Sequence, residues 1–379
     1  MNGASGWFQR YLLPGCVFQA AVIAGGYATG RELVEFFLPA GPWGGLLGMA
    51  VTMLVWSVVL MLSFELARVA RAYDYRAFFR VLLGRGWIAF EVGYVLLMLV
   101  IMAVMGAAAG EIASSLLGLP RLAGSLAMIA ATGAMLFLGT AAIERFLVAS
   151  VACLYLVYFG LVAWCVVAFG DRIGDSFAGS GVGSGWVQAG VTYAGYNVAT
   201  IPAVLFCVRH FTCRRDALVA GALAGPSGML PGIVFFVAMM GWPLEIADQA
   251  LPSAFLLARL QAPWFEWVFQ FAVMLTLVDT GVALLHALNE RVANAWAERR
   301  RPMPRTLRPV LAVGVMLVAV YAATAVGLVD LIARGYGTLT WYFLAVFVLP
   351  LTTWGLWLLW RQRATPPGPA SPSITGDPV

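Results

Sequence analysis

The sequence predicts an all-α polytopic membrane protein of about ten transmembrane helices, and three observations carry that prediction. Hydrophobic residues make up 62% of the chain and charged residues 11%, with a mean hydropathy of +0.88. A soluble globular domain holds roughly 45–50% apolar and about 25% charged residues. Apolar runs such as 46–64 and 310–328 also outlast the about 10–14 residues of a buried soluble helix. Finally, the arginines fall on alternate connections between those runs.

Apolar runs and their polar punctuation place the spans at 11–38, 43–67, 87–117, 122–141, 144–170, 186–209, 216–241, 264–290, 307–329 and 337–360. The first is a retained span, because no small-residue cleavage site follows its apolar start. Arg68 to Arg85 separate the second from the third, "GLPR" the third from the fourth, and Asp171 to Gly185 the fifth from the sixth. Helices are the required form, since hydrocarbon offers no water to unpaired backbone groups and no run alternates like a barrel strand. The tail 364–379, "ATPPGPASPSITGDPV", has the proline- and serine-rich composition of a disordered segment.

All 23 cations are arginine. With the N-terminus in the cytoplasm, and Arg31 inside the first span set aside, 18 arginines lie on inner segments and 4 on outer ones, namely Arg121, Arg172, Arg259 and Arg334. This satisfies the positive-inside rule and places both termini in the cytoplasm of a cell-membrane protein. The net charge of +5 therefore reports topology, and the clusters "ERRRPMPR" and "RRD" are inter-helix turns, with no nucleic-acid partner implied. Five cysteines show neither metal-ligand nor redox spacing, and two histidines form no cluster with them. There is no GxxxxGK[ST] motif for ATP-driven pumping, and "GSGVGSG" at 179–185 precedes a span as a flexible linker. No nucleophile–base pair or metal cluster supports an enzyme.

Ten spans divide into two halves of five, 1–170 and 186–360. "QAAVIAGGY" (19–27) aligns with "QAGVTYAGY" (188–196), matching Gln19 with Gln188, Gly26 with Gly195 and Tyr27 with Tyr196. An odd number of spans per half makes the second half an inverted repeat. The matched spans are both interrupted, the first at "GGYATG" and the sixth at "AGYNVATIP", where Pro202 disfavours helical geometry at Ile201. Discontinuous helices at corresponding positions of two halves mark the binding site of a secondary transporter.

The arrangement resembles the LeuT-like 5+5 inverted-repeat fold of the amino acid-polyamine-organocation superfamily, with discontinuous helices 1 and 6. "GGYATGRELVEFF" with "GPWGGLLG", and "DTGVALLHALNERV" at 279–292, are similar to the YkvI-like membrane proteins of that superfamily. The resemblance implies alternating-access transport of a small solute lying between the two breaks. Carried over by position, the solute site takes Gly25, Gly26, Ala28, Thr29 and Gly30 from the first break. It takes Tyr193, Tyr196, Asn197 and Thr200 from the sixth, with Tyr94 from the third span. Unpaired amides at the start of a half-helix near Thr29 suit a carboxylate. Arg31 pairs locally with Glu35 at i and i+4, or serves as a gate or a ligand for an anionic solute, while Glu32 points elsewhere. Glu65, Glu91 and Glu111 lie near span ends as interfacial residues.

The coupling ion is read from "TLVDT" in the eighth span. Thr276, Asp279 and Thr280 share a helix face near the bilayer centre, and oxygen donors suit a hard cation. The resemblance implies a sodium site there, completed by carbonyls around Gly25 to Ala28. Asp279 alternatively takes up a proton, with His286 and Glu290 continuing the same side, or pairs with an arginine such as Arg31. The expected protein is an ion-coupled symporter of an amino-acid-like or carboxylate-bearing solute, using Na+ or H+. A non-transporting membrane sensor with the same pocket is the alternative. The arginine distribution makes one direct prediction: a reporter active only outside the cytoplasm, fused after Arg363, stays dark, and a bright fusion removes the ten-span topology.

Overall fold

The computed structural model describes residues 6–23, 25–135, 140–298, 304 and 307–364, and every regular element among them is a helix. Among the described residues, seven helices are long and apolar enough to cross a membrane. Three shorter apolar helices, Leu13–Val22, Arg121–Met135 and Val310–Val326, fall on the first, fourth and ninth expected segments. The tail beyond Ala364 and most of the "ERRRPMPR" turn lie outside the described residues.

The first segment is broken twice where one break is expected. Leu13–Val22 ends at Ile23, whose φ of −75° and ψ of 84° are non-helical. One turn, Gly25–Thr29, follows, and then Gly30 turns the chain at a φ of 84° into Arg31–Phe37. Only glycine fits there, because the angle is left-handed and a Cβ would stand 2.6 Å from the Phe235 ring. The second half-helix therefore starts at Arg31, not at Thr29.

The sixth segment tightens where the sequence suggests a break. Trp186–Asn197 is α-helical, and Val198–His210 continues as a 3₁₀ helix. Pro202 brings no N–H to the ladder. The Asn197 side chain donates to the Tyr193 carbonyl at 3.0 Å and the Thr200 hydroxyl to the Asn197 carbonyl at 2.7 Å, so side chains cover carbonyls where the winding changes. So long a 3₁₀ stretch is uncommon, and in mid-helix it often marks a hinge.

Small residues bring the helices together. The Arg214–Met239 helix lays Gly221, Gly225, Gly228 and Gly232 against the Gly41–Ala70 helix and the first segment. A Cβ at Gly221 would stand 2.5 Å from the Met61 backbone nitrogen, and one at Gly232 would stand 2.6 Å from the Tyr27 hydroxyl. Such close backbone approach is how helices associate where lipid removes the hydrophobic drive. Pro226 in the same helix frees the Ala222 carbonyl, which accepts the Ser57 hydroxyl at 3.0 Å. Gly195 is likewise a packing glycine: a Cβ there would meet Thr340 Cγ2 at 2.5 Å, and the Thr340 hydroxyl donates to the Thr192 carbonyl at 2.7 Å.

The last segment alternates α-helix with π-helical stretches at Leu331–Tyr336, Leu344–Val348 and Leu351–Gly355. The glycine-rich connection expected as a free linker is tied down, because the Gly183 amide donates to the Ala40 carbonyl at 3.1 Å. The packing of the glycine face yields a measurable contrast. Gly225→Ala places a methyl against Ser57 and the Met53 carbonyl and should destabilise by about 1–3 kcal/mol. Gly314→Ala, with open space around it, should leave the thermal midpoint in detergent unchanged.

Candidate functional site

A cavity of about 390 Å³ lies between the first, third, fifth, sixth and eighth segments. Its floor toward the first break is Ala20, Ala21 and Ile23. Five of the residues expected from the sequence line it together: Tyr94, Thr200, Thr276, Asp279 and Thr280. Thr276, Asp279 and Thr280 reach it from one face of the Pro263–Glu298 helix, as their i, i+3, i+4 spacing requires. Aliphatic and aromatic side chains, including Leu97, Ile101 and Tyr155, form most of the remaining wall.

Asp279 is the one carboxylate on that wall among the described residues. Its Oδ2 accepts the Ser150 hydroxyl at 2.6 Å, a partner from the fifth segment that the sequence did not suggest. Arg31, the sequence candidate for pairing with it, is engaged elsewhere. The Thr276 hydroxyl donates to the Ala272 carbonyl at 3.0 Å, so it is held along its own helix. His286 is exposed on the same helix, and the Glu290 side chain lies outside the described residues.

Of the remaining sixth-segment candidates, Tyr193 and Tyr196 converge on Glu32 instead of the cavity, and Asn197 bonds the Tyr193 carbonyl. The Tyr196 hydroxyl donates to Glu32 Oε2 at 2.6 Å and the Tyr193 hydroxyl to the same oxygen at 3.3 Å. Only 2% of Glu32 is exposed, so these donors replace water. Tyr196 stacks on Tyr336 with centroids 4.3 Å apart, and Phe36 lies against both sixth-segment tyrosines. The second-segment Trp56 donates through its indole nitrogen to the Ala194 carbonyl at 3.3 Å, fixing the same turn. Glu32 thus joins the first and sixth segments, a role its sequence neighbourhood did not reveal.

Arg31 turns the other way. Its Nη1 donates to the carbonyls of Ala247 and Gln249 at 2.8 and 2.9 Å, and its Nη2 pairs with Glu35 at 2.7 Å. The i, i+4 pairing read from the sequence is present, and the guanidinium also latches the connection after the seventh segment. Thr29 and Ala28 are fully buried beside it, and Gly30 makes the turn described above. Gly25 and Gly26 open the one-turn helix, whose environment at these two residues lies outside the description.

Toward the arginine-rich end the cavity is bounded by Tyr94, whose ring carries the Arg291 guanidinium at 4.0 Å. The ring of Tyr75 also faces that guanidinium, at 3.9 Å, and Arg291 pairs with Glu91 at 2.8 Å. Glu65 and Glu111 pair with Arg68 and Arg121 near helix ends, where the sequence places them.

A twice-broken first segment and a sixth segment that passes from α- to 3₁₀-helix flank the cavity, and solved structures share the fold. The chain is similar to a mutant of the Eremococcus coleocola manganese transporter, with a TM-score of 0.57 and 12% identity over 93% of this chain and 80% of that one. It is similar also to MhsT in complex with L-phenylalanine, with a TM-score of 0.56 and 14% identity over 94% and 95% of the respective chains. These are LeuT-fold transporters, and the chain has the LeuT fold. No family model matches the chain, and no curated protein sequence matches it. The tyrosine cluster gives a quantitative expectation: Tyr196→Phe removes the shorter bond to a buried carboxylate and should cost about 1–3 kcal/mol, more than Tyr193→Phe. Thermal melts against Tyr321→Phe, on a residue 74% exposed, measure both.

Proposed function

We propose that the chain is a secondary active transporter, an ion-coupled symporter of a small amino-acid-like or carboxylate-bearing solute that works by alternating access. The observation that carries the reading is Asp279 facing a 390 Å³ cavity beside the first-segment break. That volume falls in the range of about 300–1,000 Å³ typical of small-molecule sites, and the mostly apolar wall with a few polar groups is typical too. The LeuT fold supports the reading, as does the likeness to solved transporters, one of them holding an amino acid. The two stretches that resemble YkvI-like proteins support a place in that branch. Ten spans in two inverted halves of five, with both termini in the cytoplasm, complete the proposal.

Coupling follows from electrostatics. An ionised Asp279 repels a solute carboxylate, and in a low-dielectric cavity that repulsion is strong. A cation or proton on Asp279 removes it. For sodium the donors are the Asp279 carboxylate, Thr280, the Thr276 carbonyl and carbonyls of Gly25 to Ala28; for a proton, Asp279 with Ser150 suffices. The solute then meets Tyr94 and Thr200 on the cavity wall. The Glu32–Tyr196 contact and the Arg31 latch hold the arginine-poor half closed, and both must open when access alternates.

Uptake into proteoliposomes, with sodium and pH gradients imposed separately, tests the proposal and identifies the ion. Wild-type protein should accumulate amino acids or organic acids under one gradient, and Asp279→Asn should lose at least about tenfold of that accumulation, as loss of about 1.4 kcal/mol of coupling requires. Gradient-driven uptake at the wild-type level by Asp279→Asn removes the assignment. Saturable binding with no flux makes the protein a sensor.

A further inference from the structure

Three of the buried polar side chains that make no hydrogen bond among the described residues lie between the arginine-poor end and Asp279. Gln270 of the eighth segment is fully buried with neither amide atom bonded, and the buried hydroxyls of Tyr158 and Ser253 are unbonded too. Such groups cost free energy in any protein interior, and a bundle surrounded by lipid offers them little relief.

Two contacts fix the register of the fifth segment against the eighth. Ser150 bonds Asp279 at 2.6 Å, and a Cβ at Gly160 would stand 3.6 Å from Phe265 Cζ, so the helices run antiparallel. Tyr158 lies eight residues beyond Ser150 and Gln270 nine residues before Asp279, rises of about 12 and about 13.5 Å in the same direction. The two unbonded groups therefore share one level of two packed helices, toward the arginine-poor end from Asp279. Ser253 borders the same region, because the helix Pro252–Arg259 packs on the eighth segment and on Gly25–Thr29. The Gly30 turn ties the parts together. A Cβ there would stand 3.2 Å from Pro252 Cβ and 2.6 Å from the Phe235 ring, which in turn lies 4.8 Å from the Tyr158 ring.

A primary amide and two hydroxyls each donate and accept, and none carries charge. That chemistry fits bound water, and its oxygens fit a hard cation that is shedding its own water. We propose that Ser253, Tyr158 and Gln270 form a hydrated passage by which the coupling ion reaches Asp279 from the arginine-poor end. Neutral oxygens suit a passage because they replace hydration without holding the ion. Its mouth lies behind the Arg31 latch, whose carbonyl partners Ala247 and Gln249 lead into Pro252–Arg259, so release of the latch admits the ion. The inference rests on Asp279 as the ion site and adds the route to it.

A route sets rates and leaves equilibrium affinity alone, since it belongs to neither end state. In the purified full-length chain a sodium or pH jump should change tryptophan fluorescence as Asp279 loads. Gln270→Leu and Tyr158→Phe should each slow that change about three- to tenfold, as loss of one hydrogen bond along the way predicts. The rise in thermal midpoint that the ion produces at equilibrium should stay at the wild-type value. Each substitution puts an apolar group of similar shape where a polar one is unbonded, so the midpoint without ion should hold or rise. Either variant that keeps its midpoint suffices for the rate measurement. A lowered midpoint in both, or loading at the wild-type rate, overturns the passage and leaves Asp279 as the ion site. A wild-type chain that responds to neither ion removes Asp279 as the ion site, and the passage with it.

Discussion

A buried carboxylate bonded by neutral donors governs how the first and sixth segments meet. Glu32 follows the left-handed turn at Gly30 and reaches the sixth segment, where Tyr196 and Tyr193 donate to one of its oxygens. In hydrocarbon such a group has no water to fall back on, so its position is fixed wherever donors are available. The sixth segment supplies them on its last α-helical turn, and Trp56 and Thr340 bond carbonyls of the same helix. The first segment, the sixth and the tenth are thereby positioned around one side chain.

The same economy explains the cavity. Once Arg31 is drawn to Ala247, Gln249 and Glu35, and Glu32 to its tyrosines, the charged stretch after the first break turns away from the hollow. Asp279 remains as the acidic group on its described wall, with Ser150 as neighbour. Away from the cavity, the Arg214–Met239 and Gly41–Ala70 helices lie close because glycines take the contact points, and the former holds Pro226 because the Ser57 hydroxyl covers the freed carbonyl.

Much of this was legible in the sequence, for reasons specific to each part. The all-helical apolar architecture follows from apolar length, and Thr276, Asp279 and Thr280 share a wall because a helix fixes i, i+3 and i+4 on one side. The pairing of Arg31 with Glu35 is local and was visible for the same reason. Ser150 beside Asp279, and Arg291 against Tyr94, join residues far apart in the chain, and nothing in a single sequence encodes which helices become neighbours. Glu32 was read as pointing away from the Arg31–Glu35 face, and it does, but its tyrosine partners lie on the sixth segment, far along the chain. The sixth segment was expected to unwind at Pro202, but a 3₁₀ helix accommodates the missing amide without opening.

The absence of lysine acquires a meaning from the ring stacks. The membrane counts charge when it sets topology, and for that purpose an ammonium and a guanidinium are equivalent. Arg291 between Tyr75 and Tyr94, and Arg76 and Arg80 over Trp87, use something else: a flat cation that lies on a flat ring while still donating at its edge. Exchange of these arginines for lysine would preserve the insertion signal and lose the stacked planes. Two selective demands, one read during insertion and one imposed by the finished bundle, thus converge on the same residue type but can be separated by a single chemical change.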